Sequence, residues 1–327
     1  MGYNKSLNKL DKMKKLQLLL LSSLSIISLY AQTEKNEIDA YIQSQMESHY
    51  YVRMPDLFND VQNHRYLSTL LEQYRNSNDK KIRGEAYVVI THLANDIKDT
   101  IYTQQLVEKF VLSQLDESDY VRNVLSKEML RDFLNKSQFN RTAIDSLYNL
   151  FLPENQNKLS RNNILVIGFI GDINQCDTLY KYAKEKLDEN HDYYFNNQFR
   201  TLKWVSKLAL ARMGNKQIEQ ECINFMKKYK SDRAFYYALC DYASYIHTEK
   251  SIDFLNELLN ENILDAPLDG DEIGFPIAHR AISVLQRIIL NMPDIRRLYK
   301  DQDRIEAARK WMKENKGKYK INSEIFW

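Results

Sequence analysis

Apolar residues recur at helical spacing along almost the whole chain beyond residue 32. Ile82, Ala86, Val89, Ile90 and Leu93 form one stripe, and Val107, Phe110, Val111 and Leu115 form the next. Residues three and four apart share one face of an α-helix, so each stripe predicts a helix with one buried side. Val121, Val124, Leu125, Met129 and Phe133 continue the series, followed by Val205, Leu208, Ala209 and Met213. Ile218, Cys222, Phe225, Met226 and Tyr229 come next, then Phe235, Ala238, Leu239, Tyr242 and Ile246, and finally Ala278, Ala281, Ile282, Leu285 and Ile289. No comparable segment alternates with the period of two that marks a half-buried strand. The run from Ile164 to Ile170 suits a buried strand on composition alone. Its place in a repeat makes it a helix.

That repeat is visible as self-similarity. The segment Leu165–Asp172 aligns with Leu208–Asn215, and each is followed by apolar residues in register: Leu179, Tyr182 and Ala183 against Cys222, Phe225 and Met226. Tyr245-Ile246-His247-Thr248 occupies the same turn, with Leu255, Leu258 and Leu259 behind it. Upstream, Leu93-Ala94-Asn95-Asp96 fits the slot, with Thr103, Leu106 and Val107 following. Phe133-Leu134-Asn135-Lys136 and Ile289-Leu290-Asn291 fit more loosely. The turn positions Asp96, Lys136, Asp172, Asn215, Thr248 and Asn291 lie roughly 33 to 43 residues apart, the length of two helices and two short loops. In Gly171-Asp172 and Gly214-Asn215, glycine can end one helix in the left-handed conformation while Asp or Asn caps the next.

These turns resemble those of the HEAT-repeat family, especially the short variety with an apolar-Gly-Asp turn found in lyase-type HEAT proteins. Asp119-Tyr120-Val121-Arg122 and Asp79-Lys80-Lys81-Ile82-Arg83 are similar to a second habit of that family. There the Asp caps a helix and the Arg packs along the stack. The resemblance covers residues 79 to 291. It implies an all-α fold, an armadillo-like α-solenoid of about five to six helix pairs, and it implies little about function, because such repeats serve many roles.

The flanks differ from the repeats. Residues 32–78 read as N-terminal capping helices, with Ile38, Tyr41 and Ile42, then Leu67, Leu70, Leu71 and Tyr74. Residues 79–292 hold the repeats, and 293–327 hold a charged C-terminal helix with Ile305, Ala308 and Met312 on one side. The closing Ile325-Phe326-Trp327 is expected to fold back onto that last helix, with docking on a partner as the alternative. At the other end, Met13-Lys14-Lys15 precedes an apolar stretch, Leu16 to Leu29, and a small exit residue, Ala31. This is the pattern of a signal peptide over residues 1–31, too short for a membrane span of about 20 residues. Met13 is a candidate initiator, Gln32 the expected mature N-terminus, and an uncleaved anchor the alternative. Export to the periplasm, cell surface or medium is the expected address, with no membrane span after cleavage.

Composition adjusts this picture modestly. The chain of 327 residues has 44% hydrophobic residues, enough for a sizeable core, and its 8 glycines and 5 prolines are few for a turn-rich sheet protein. The formal charge is +2, but the leader holds Lys5, Lys9, Lys12, Lys14 and Lys15 against Asp11. The body is therefore near −2, at roughly 41 basic and 43 acidic residues, and has no net pull toward a phosphate backbone. Nucleic acid is not an expected partner. Cys176, Cys222 and Cys240 show no metal-ligand spacing, and buried thiols are the expectation.

No motif of chemistry emerges. His49, His64, His92, His191, His247 and His279 are scattered without H-E-x-x-H or H-x-x-x-H spacing. Nucleophile-elbow and phosphate-loop patterns are absent. Asp265, Asp269, Gly270, Asp271 and Glu272 cluster in the irregular stretch from Asn260 to Phe275, yet their spacing does not match an EF-hand, and a solvated acidic loop is expected. The aromatic cluster His191-Asp192-Tyr193-Tyr194-Phe195, with Phe199 and Trp204, and the doublets Tyr50-Tyr51 and Tyr236-Tyr237, could line a peptide or sugar groove. The plainer expectation is one ring of each doublet in the core and one at the rim. No catalytic, cofactor or metal residue is nominated. The leading expectation is a non-catalytic scaffold that binds a protein or peptide. An envelope enzyme built as an α/α toroid and acting on glycan or peptide is the alternative, and a purely structural envelope component the third.

Overall fold

The computed structural model describes residues 32–47, 54–130, 135–171, 177–184, 201–261, 278–298 and 300–326. Among these residues every regular element is helical, and the one bridge between extended segments joins Ile289 to Ile321. No helix among them is long and apolar enough to cross a membrane. The leader, Tyr50-Tyr51, Cys176, the His191–Phe199 cluster and the acidic run Asp265–Glu272 all fall outside the described residues.

The chain divides into two compact units after Thr103. In the first, α1 (32–47) is followed by α2 (Val61–Arg75) and α3 (Lys80–Asp96), and α4 (Thr100–Val111) begins just before the boundary. Ile38 and Ile42 of α1, Phe58, Leu67, Ala86, Ile90 and Leu93 are fully buried, so the expected stripes do face inward. Ile82 is the exception at 37% exposure. His64 stacks on Tyr102 at 3.9 Å, and the Tyr102 hydroxyl donates to the His64 carbonyl.

The second unit contains α5 (Asp119–Leu130), α6 (Arg141–Tyr148), α7 (Arg161–Ile170), α8 (Asp177–Ala183), α9 (Leu202–Arg212) and α10 (Lys216–Lys227). It continues through α11 (Tyr236–Ile246), α12 (Glu249–Asn260), α13 (Ala278–Ile288) and α14 (Asp301–Glu314). The odd-numbered helices pack in series, α5 on α7, α7 on α9, α9 on α11 and α11 on α13. Among the even-numbered ones, α10 packs on α12 and α12 on α14. Ion pairs from Lys227 to Glu257 (2.5 Å) and from Lys230 to Glu261 (3.0 Å) link α10 to α12 and its end. Of the odd-numbered helices, α7 and α9 lie innermost. Every side chain from Asn163 to Ile170 is buried, as is every one from Trp204 to Ala211, so these helices are enclosed all round. This is why Ile164–Ile170 lacks amphipathic contrast. Trp204 is wholly buried core, and of the tyrosine doublet Tyr236 is buried while Tyr237 is 47% exposed.

Helix starts are set by short polar caps. Asp60, Asp79, Asn140, Ser160, Thr201, Asn215 and Thr248 each accept from an amide of the first turn, satisfying a donor that has no intrahelical partner. A second device recurs beside them. A donor in the first turn reaches back to the carbonyl six residues earlier: Asn63 to Leu57, Arg83 to Ser77, Thr103 to Ile97, Arg122 to Asp116 and Arg304 to Leu298, at 2.6–3.2 Å. Arg83 and Arg122, the arginines of the Asp-x-x-Arg-like segments, thus clamp the loop that leads into their own helix.

The turn slots meet expectation unevenly. Gly214 has φ +100 and His247 has φ 57, so both equivalent positions are left-handed, and Asn215 and Thr248 cap the helices after them. Gly171 has φ −78 and is not left-handed. Glycine is needed there for space, because a Cβ would stand 2.4 Å from the Ile167 carbonyl oxygen and 2.5 Å from the Tyr148 hydroxyl. Asp96 is not a cap either. It ends α3, which lacks a glycine to stop it, and Asp99 accepts from the Tyr102 amide to start α4. Lys136 opens a short 3-10 turn, and Asn140 caps α6. Cys222 and Cys240 are free and buried, and burial pushes both thiols up from their ordinary pKa.

Candidate functional site

Counting three residues back from each turn position gives Leu93, Phe133, Phe169, Arg212, Tyr245 and Ile288. All but one are apolar. In the second unit the odd-numbered helices bring three of these equivalent positions side by side. The Arg212 guanidinium lies over the Phe169 ring at 4.9 Å and over the Tyr245 ring at 5.2 Å. Two such contacts suit a planar, weakly hydrated cation better than they would suit an ammonium.

The guanidinium has no carboxylate partner among the described residues. Its Nη1 donates to the Tyr245 carbonyl, to Nδ1 of His247 at 2.8 Å and to the Phe326 carbonyl at 3.0 Å, and its Nη2 donates to the Ile325 carbonyl at 2.6 Å. Burial lowers the Arg212 pKa to about 10, which leaves it charged at neutral pH. His247 is held at about 3, first by burial and then by the Arg212 charge, so it is neutral and its Nδ1 can accept. The left-handed backbone at His247 aims its ring at this point. Burial pushes the Tyr245 phenol up, and its hydroxyl donates to the Leu165 carbonyl at 2.6 Å.

The last described residues run across this ladder without helix, with a turn at Ser323-Glu324. Gly317, with φ +73, turns the chain out of α14. The Lys320 amide donates to Asn291 Oδ1, the Leu290 amide to the Lys320 carbonyl and the Asn322 amide to the Ile288 carbonyl, at 2.8–2.9 Å. Farther on, the Lys136 amide donates to the Glu324 carbonyl and the Ser137 amide to the Glu324 carboxylate, both at 3.2 Å. Phe326 is 2% exposed and meets the edges of Phe169 at 5.5 Å and Tyr245 at 5.6 Å. The tail therefore does not fold back onto α14 alone, as expected from its apolar composition. It crosses the turn ends after α13, α11, α9 and α7 and reaches the turn before α6.

The histidines do not converge. His64 and His92 are buried in the first unit, His247 belongs to the ladder, and His279 lies 3.5 Å from Asp301, while His49 and His191 fall outside the described residues. Among the described residues no group of three or more His, Cys, Asp or Glu could hold a metal ion. An open cleft of about 330 Å³ lies beside α6 and α8 and carries Asp145 and Asp177 with Tyr148 and Phe151. Asp145 is already paired with Arg141 at 2.9 Å. Sequence reasoning passed over Arg212 altogether. The signal that could have found it is a lone cation at a position that is apolar in the other self-aligned segments.

Neither the protein-family models, the curated proteins nor the solved structures contain a match to this chain.

Proposed function

We propose that the chain is an exported, non-catalytic scaffold, a solenoid of HEAT-like helix pairs that grips a protein or peptide along the ends of its odd-numbered helices. The observation that carries this reading is the ladder of equivalent positions. Phe169, Arg212 and Tyr245 form a seat of two rings and a cation on which a non-helical stretch of polypeptide already lies. Repeats suit such work because each adds one step to a long surface, and an extended chain can use several steps at once.

In-cell cross-linking from photoreactive residues at Phe169 and Leu290, with a distant position such as Tyr237 as control, tests the reading. One partner recovered from the first two sites and not from the third supports it. Absence of any site-specific partner, together with turnover of an envelope glycan or peptide by the purified protein, would replace it with the enzymatic alternative. N-terminal sequencing of exported material tests the address: a mature start at Gln32 supports it, and a start at Met1 or Met13 overturns it. Small-angle scattering tests the superhelix against a closed ring.

A further inference from the structure

We propose that the groove holding 318–326 is a peptide-binding surface which the chain's own segment occupies in cis, and that its partner is a non-helical segment carrying an acidic residue at a turn followed by an apolar and an aromatic one. The inference rests on the scaffold reading and names the ligand class of that same surface.

Three features separate the tail from ordinary core. It is held chiefly through its main chain: the carbonyls of Lys320, Glu324, Ile325 and Phe326 all accept from the groove. Main-chain recognition does not depend on covalent continuity, so a segment from another chain can make the same bonds. The specificity elements are few and discrete, namely the Glu324 carboxylate on the Ser137 amide and the Phe326 ring between Phe169 and Tyr245. The segment leaves α14 through a single residue. Gly317 is left-handed with open space where a Cβ would be, and 318–326 contains no helix.

Arg212 gives the surface its need for an occupant. Two of its acceptors, the carbonyls of Ile325 and Phe326, belong to the tail, and the remaining two belong to the end of α11. With the tail lifted, the partly buried guanidinium would exchange two of its four acceptors for water, losing fixed hydrogen bonds that hold it against the two rings, at a cost in ordered contacts. A segment offering carbonyl oxygens at the same place removes that cost. The arrangement favours exchange of one peptide for another over a standing empty groove.

The test uses the full, folded chain with a site-specific protease sequence inserted at Gly317. After cleavage and dialysis, a fluorescent peptide of the sequence 318–327 is titrated by anisotropy against cleaved and uncleaved protein. An attached segment acts at an effective concentration of about a millimolar, so for a trans Kd of about 10 µM the uncleaved chain should bind about a hundredfold more weakly. A peptide with Phe326→Ala should lose about tenfold or more, since a buried ring is removed. The peptide change leaves the protein's folding untouched. Equal binding to cleaved and uncleaved chains, no binding to cleaved chain that keeps its helical circular dichroism, or loss of that signal on cleavage would each overturn the proposal, the last by making the tail part of the core. The cross-linked partner separates this failure from failure of the scaffold. If it is captured equally with and without excess tail peptide, the strap is wrong and the scaffold stands.

Discussion

Gly168→Ala offers a clean contest between sequence and structure. The repeat alignment sets Gly168 opposite Ala211, and alanine is better than glycine in a helix interior by about 1 kcal/mol, so sequence alone expects the substitution to stabilise. The packing says otherwise. A Cβ on Gly168 would stand 2.3 Å from the Tyr245 hydroxyl and 2.6 Å from both Cα and Cβ of Ala209. The hydroxyl could swing away only by giving up its 2.6 Å bond to the Leu165 carbonyl, a loss of about 1 kcal/mol. The Ala209 Cα is backbone, so α7 and α9 would have to part by about 1 Å to reach ordinary contact, and overpacking of this kind costs about 1–3 kcal/mol. Set against the helical gain, the net is a destabilisation of about 1–3 kcal/mol. Urea unfolding followed by circular dichroism reads it as a lower midpoint with unchanged slope. A midpoint equal to or above that of the wild type would refute the backbone-to-backbone approach of α7 and α9, and with it their innermost place.

Lowering the pH should destabilise the second unit through His247. The unfolded chain takes up a proton near pH 6.5 and the folded chain only near 3, so stability present above 6.5 is lost between those values, at up to about 1.4 kcal/mol per pH unit. His247→Asn, which tolerates the left-handed backbone, should flatten the slope of unfolding free energy against pH; an unchanged slope would place the titration elsewhere. Phe326→Ala in the full chain should speed hydrogen exchange of the Leu290 and Lys136 amides while leaving those of α9 protected, because the strap opens before the core does. Thr248→Ala should cost about 1 kcal/mol by leaving the first-turn amide of Ser251 without its cap, measured by urea midpoint. Cys222 and Cys240 should resist a maleimide in the folded protein and react at the rate of unfolding, because burial keeps both as thiols; prompt labelling would contradict their enclosure.

Much of the helical architecture was legible because it is written locally. The stripes from Ala86 to Leu93 and from Leu255 to Leu259 are buried as their spacing requires, and the turns at Gly214-Asn215 and His247-Thr248 follow from backbone handedness and capping. The features that escaped depend on contacts between elements distant in sequence. The need for glycine at Gly171 comes from the Ile167 carbonyl of its own helix and also from Tyr148 and Met213, and these last two leave no local mark. The path of the tail was unreadable for the same reason. Its apolar end announces burial, but only the spatial adjacency of Phe169 and Tyr245 says where. Arg212 was hidden differently: a cation near a helix end ordinarily reads as solvent-facing, and its acceptors are carbonyls, which every residue has.

The ladder of Phe169, Arg212 and Tyr245 has a consequence for any rearrangement of these helices along the chain. The charged member stands between two rings, and each ring is fitted to it. A gene in which the segments containing Arg212 and Tyr245 were transposed would set ring against ring and send the cation to the margin. The order of α7, α9 and α11 is thus held by chemistry and not by shape alone.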